Sequence, residues 1–249
     1  MFPIRDHNPS ATAPVLTVLL IVLNVAIHVW SVATLQTEAQ VYRFYDAFAL
    51  VPAEITAGRD WSTLVTSTFL HAGWLHLGGN MLFLWIFGDN LEDALGRVGF
   101  LLFYLAGGVG AGLCQWLAGP FSPVPTIGAS GAIAAVMGGY LLLFPRAKVD
   151  ILLFLVIIIR IIPIPAWVML GVWFALQVVS GVGSDPLAGG VAYWAHAGGF
   201  LIGLLLMVPA WVARGAAGFW RRTQGTPPWP DAAYGSLTPT RVPAVRRRR

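Results

Sequence analysis

The chain has 249 residues, 57% of them hydrophobic and 10% charged, with a mean hydropathy of +0.73, whereas soluble domains use roughly 45–50% apolar and 25% charged residues. These values exclude an ordinary water-soluble domain and point to an integral, multi-pass membrane protein. The formal charge of +4 comes mostly from the tail after Arg214, so it reads as positive charge retained in the cytosol and not as a nucleic-acid surface; the single cysteine, Cys114, permits no intrachain disulfide.

Residues 1–13 form a short N-terminal segment containing Arg5. The apolar stretch 14–33 that follows is too long for the core of a cleaved signal and long enough for a first membrane helix. Residues 35–73 form a long outer loop rich in aromatic rings (Tyr42, Phe44, Tyr45, Phe48, Trp61), which favour the headgroup layer. Further apolar segments at 74–90, 98–118, 126–144, 166–181 and 189–212 complete a six-helix, all-α membrane bundle over residues 14–212. Between the fourth and fifth helices, 149–162 is apolar but short, holds Arg160 and is closed by Pro163 and Pro165, so it is expected at the cytosolic interface and not across the membrane. Residues 213–249 form a basic, Pro-rich cytosolic tail expected to be disordered.

Six spans with both termini in the cytosol leave 13 of the 15 Lys and Arg residues on the cytosolic side and only Arg43 and Arg59 outside. That asymmetry fixes the expected orientation. The expected location is the bacterial inner (cytoplasmic) membrane.

Polar side chains at membrane depth are costly and mark functional sites. Ser130 lies near the outer end of the fourth helix, in GASGAIAAVMGGY, and His196 lies about seven residues into the sixth, in AHAGGFLIG. Both reach a similar depth if 149–162 does not span, which makes them a candidate nucleophile and base. Gly131, Ala135 and Gly139 on one helix, and Gly199 and Gly203 on the other, form the small-residue stripes that let helices approach in lipid. His76 and Asn80 lie four residues apart on one face of the second helix, and such groups can donate to a developing oxyanion. The fifth and sixth helices hold no Asp or Glu to orient His196, so the expected arrangement is a dyad. His71 is expected to be a structural loop histidine. Metal chemistry is disfavoured because no His-Glu-x-x-His pair occurs.

Together, His76-xxx-Asn80, Gly88-xxx-Glu92-xxx-Gly96, Gly128-Ala129-Ser130-Gly131 and His196-xx-Gly199-xxx-Gly203, spread across 14–212, resemble the rhomboid family of intramembrane serine proteases. The resemblance implies Ser130 as nucleophile, His196 as general base, and an oxyanion site of His76, Asn80 and the Ser130 amide. It implies Glu92 as a structural residue at the inner end of the second helix, no cofactor and no metal. The implied partners are single-span transmembrane substrates and the lipid bilayer. Two positions depart from the family pattern: Ser62 follows Trp61 where arginine is common, and Ala134 stands where a tyrosine often stacks on the histidine. A non-catalytic relative that binds membrane helices would lack the serine or the histidine, and a transporter would be expected to show an inverted repeat, which the sequence lacks.

Overall fold

The computed structural model describes residues 2–155, 158–185, 187, 189–223 and 225. The chain is mainly helical. Helix α1 (Val15–Thr34) buries Thr17, Leu20, Asn24 and His28 and exposes Val18, Leu19 and Val22. A polar inner face with an apolar outer face suits a helix whose surroundings are hydrocarbon.

The aromatic loop folds into short helices: α2 (Glu38–Phe48), α3 (Pro52–Thr56) and α4 (Thr63–Thr66), followed by a 3-10 turn at Ser67–Phe69. Thr37 and Gln40 form a reciprocal capping box that starts α2. Phe44 then sits 5.7 Å from Trp30 and 5.2 Å from Phe48, ring centre to ring centre, tying α2 to the end of α1.

Helix α5 (Trp74–Ala118) is broken at Gly96, where φ is 70°. Only glycine adopts that backbone readily, so the two helical arms match the expected apolar segments on either side of it. Helix α6 (Ser130–Leu143) is apolar on every face, and residues Gly131–Tyr140 are all buried. A helix of that kind belongs at the centre of a bundle. Around it pack α5, α7 (Ala166–Val182) and α8 (Tyr193–Ala213), with Leu84, Phe87, Leu91, Phe100, Tyr104 and Leu170 filling the core. By length and composition α1, α5 and α8 could each cross a membrane, while α6 and α7 are shorter apolar helices.

Two expectations are corrected. The fold is not all-α: β1 (Phe2–Asp6), β2 (Lys148–Leu155) and β3 (Ile158–Pro165) form an antiparallel sheet in the order β1-β2-β3. The Val- and Ile-rich run favours extended backbone, and it doubles back so that Lys148 pairs with Pro165 and Val149 with Ile164. Asp150 stitches the sheet from inside, accepting from Arg5 Nε at 2.6 Å and lying 2.8 Å from His7 Nε2. Burial opposes the charge on Asp150, but those hydrogen bonds and the two basic groups outweigh it and hold the carboxyl below its usual range.

The second correction is the tail boundary. Residues 217–223 form helix α9, where Trp220 Nε1 donates to Leu142 O at 2.9 Å. Arg214 donates to Ala94 O at 2.6 Å. These bonds fasten 214–223 to the bundle, because the last carbonyls of a helix need external donors. Residues 224 and 226–249, which the expected disordered tail also covers, lie outside the described residues.

Candidate functional site

Ser130 is the first residue of α6, and the chain reaches it through Gly128, whose φ is 129°. The Gly128 N–H donates to Ser67 O at 2.9 Å. A Cβ at Gly128 would come within 2.8 Å of His76 Cε1 and Nε2, so both the turn and the seating of the His76 ring require glycine there. This turn leaves the Ser130 hydroxyl and its amide at a helix N-terminus, where the first N–H groups have no partner inside the helix and the dipole favours negative charge.

His196 sits in the first turn of α8, where Gln115 Oε1 accepts the Ala195 N–H at 3.2 Å. The helices meet backbone to backbone: a Cβ on Gly199 would run into Gly131 O, and one on Gly203 into Ala135 O. The two small-residue stripes thus face each other, as close approach in lipid requires. His196 Nε2 consequently lies 2.7 Å from Ser130 Oγ. At that distance the hydroxyl can donate its proton to the imidazole, the geometry of a nucleophile and its base.

The other ring nitrogen was not accounted for by sequence reasoning. His196 Nδ1 lies 2.8 Å from Gln177 Oε1 on α7. A search restricted to carboxylates passes over a neutral amide, although a glutamine within an apolar helix was the available signal. Ala134 is fully buried, and the ring beside His196 is instead Trp173, also from α7, with centroids 5.9 Å apart and planes tilted by 32°.

His76 and Asn80 line the same cavity as Ser130 and His196, a space of about 630 Å³ that Gln115 and Trp173 also border. Asn80 Nδ2 donates to His76 O at 3.0 Å, so its amide is held against its own helix, one turn after His76. His71 is buried with its ring centre 5.1 Å from that of His76 and 6.4 Å from that of His28, a packing position behind the cavity.

Glu92 lies away from this cavity. Its buried carboxylate accepts the Leu16 N–H at 2.9 Å, the Thr17 N–H at 2.8 Å and the Thr17 hydroxyl at 2.9 Å. Pro14, which precedes α1, offers no side-chain cap, so a carboxylate from another helix supplies it. Gly88, one turn earlier, admits Thr17: a Cβ there would lie 2.9 Å from Thr17 Cγ2.

The family model of the Rhomboid domain matches residues 58–212. Rhomboid protein 1, mitochondrial, of Saccharomyces cerevisiae is 32% identical over 170 residues, covering 66% of this chain and 45% of that protein. Rhomboid-like protein 11, chloroplastic, of Arabidopsis thaliana is 49% identical over 73 residues, 29% of this chain and 26% of that one. Rhomboid protease GluP of Bacillus subtilis is 39% identical over 95 residues, 38% of this chain and 18% of that one. The chain spans less than half the length of each of these relatives. Because they include organellar proteins, they do not support the bacterial inner membrane over other membranes. The domain match over well more than half of its length, together with its apolar helices, establishes that this integral membrane protein belongs to the rhomboid family.

Proposed function

We propose that the chain is an intramembrane serine endopeptidase that cleaves transmembrane segments of single-span membrane proteins. The observation that carries this reading is the 2.7 Å approach of His196 Nε2 to Ser130 Oγ inside a cavity among apolar helices. In the first step the Ser130 hydroxyl proton passes to His196 Nε2 while Oγ bonds to the scissile carbonyl carbon. The carbonyl electron pair moves onto oxygen, and the Ser130 amide with the His76 and Asn80 side chains stabilises that charge. His196 then gives the proton to the amide nitrogen as the carbonyl re-forms and the C–N bond breaks, leaving the acyl group on Ser130 Oγ. A water molecule, deprotonated by the same nitrogen, bonds to the acyl carbon, and the C–Oγ bond breaks as His196 returns that proton to Oγ.

A substrate helix must unwind locally to enter, because helical amides are already hydrogen-bonded and shielded. The proposed topology has six spans, formed by α1, the two arms of α5, α6, α7 and α8, with both termini in the cytosol and the sheet at the cytosolic interface. A fluorophosphonate probe tests the chemistry: it is expected to label the parent and neither Ser130→Ala nor His196→Ala. Equal labelling of parent and Ser130→Ala would overturn the assignment.

A further inference from the structure

We propose that Gln177 is a positioning residue that fixes the tautomer and orientation of His196, making the site a Ser130–His196–Gln177 triad and not an isolated dyad. The inference rests on the proposed function for its catalytic consequence, while its structural content stands on geometry alone. A neutral imidazole carries one N–H, and only the nitrogen without it can accept a proton. Gln177 Oε1, 2.8 Å from Nδ1, is an acceptor and selects the form protonated at Nδ1. That leaves the Nε2 lone pair facing Ser130 Oγ at 2.7 Å.

The amide itself is held in the orientation this requires. Gln177 Nε2 donates to Trp173 O, one turn back on α7, through a longer 3.4 Å bond. Turning the amide over would lose that bond and present an N–H to Nδ1, which would place the ring proton on Nε2 and abolish its capacity as a base toward serine. Trp173 also lies 5.9 Å from the imidazole. One turn of α7 therefore supplies both the acceptor for the ring and an aromatic surface beside it.

A glutamine can orient the imidazole but adds no charge beside the imidazolium, unlike a carboxylate. The proposal therefore separates orientation from charge, and two substitutions distinguish them. Gln177→Met keeps length and approximate volume but removes the acceptor. Its kcat is expected to fall by about 10- to 100-fold, as for loss of other groups that orient a functional histidine, with KM changed by less than about threefold, since no substrate contact is removed. Gln177→Glu keeps an acceptor oxygen, so it is expected to restore most of the loss. It should also move the acidic limb of the kcat/KM profile upward by about one pH unit or more, because a carboxylate favours the imidazolium.

The deciding readout does not depend on proteolysis. In detergent-solubilised, 15N-histidine-labelled protein, with the His196 resonances identified by their loss in His196→Ala, the parent is expected to show the Nδ1–H form and Gln177→Met a mixture of tautomers. An Nε2–H form in the parent, or a Gln177→Met spectrum unchanged from the parent, overturns the proposal. So does an altered tautomer with unaltered kcat. Absence of Ser130-dependent cleavage in the parent would sink the protease reading instead, leaving the nitrogen shifts to decide Gln177 on their own.

Discussion

Replacing Glu92 with glutamine tests how the N-terminus of α1 is secured. The carboxylate is 2% exposed and accepts three hydrogen bonds, two of them from the backbone N–H groups of Leu16 and Thr17. Glutamine keeps the shape but removes the charge and exchanges one acceptor oxygen for an NH2 group facing donors. Loss of a helix cap costs about 0.5–2 kcal/mol, and each buried donor left without an acceptor costs about 1–3 kcal/mol. The Thr17 hydroxyl can rotate toward another acceptor, which offsets part of this, so the expected loss is about 2–4 kcal/mol. For a chain of this size, with about 2–4 °C per kcal/mol, the thermal midpoint should drop by about 5–15 °C. Intrinsic tryptophan fluorescence during heating in detergent measures it, with Glu92→Asp as a partial rescue. At low temperature Ser130 labelling should survive, because the substitution lies outside the Ser130 cavity. A midpoint equal to that of the parent would refute the capping role.

Other outcomes follow from the same geometry. Gly203→Ala places a methyl group against the Ala135 carbonyl, where the backbone of both helices must yield; a stability loss of about 1–3 kcal/mol and at least tenfold slower Ser130 labelling are expected, and normal labelling would show that α6 and α8 need not touch there. Asp6, which accepts from the Tyr140 hydroxyl at 2.6 Å, is raised to about 7 by burial, with nearby Asp89 adding to the shift. Because its folded-state value lies above the ordinary 3.8, the folded form binds the extra proton and Asp6 should make stability fall as pH rises from about 4 to about 7; in Asp6→Asn, urea midpoints across that range should slope less steeply than in the parent, and an unchanged slope would assign it to other groups. Cysteines placed at Lys148 and Ile164 in a Cys114→Ala background should both react from the cytosolic side with an impermeant maleimide, because the strands that carry them pair; labelling from opposite faces would mean that the segment between them crosses the bilayer.

Helices α1 and α8 and the two arms of α5 were readable because long apolar segments announce themselves locally, as runs of about 20 residues, whereas α6 starts only at Ser130, inside the run 126–144 that foretold it. Ser130 and His196 were readable as polar residues where lipid makes them expensive, and the glycines beside them foretold the close approach that joins them. The sheet was harder to see. The run at 149–162 looked short and interfacial, but its pairing with Phe2–Asp6 joins residues more than 140 positions apart, and no local pattern encodes such a partner. Gln177 was hidden for a chemical reason: an acceptor for a histidine need not carry charge, and a search for Asp or Glu does not find one that does not. The ordered helix α9 was obscured by the composition of the tail around it, since its anchoring depends on Trp220 meeting a carbonyl at the end of α6.

The most direct test of the account is cleavage of a single-span substrate co-reconstituted in liposomes with the parent or with Ser130→Ala, the products identified by mass spectrometry. The parent is expected to yield two fragments cut within the transmembrane segment and the Ser130→Ala protein none; the same fragments at the same rate from both proteins would contradict it.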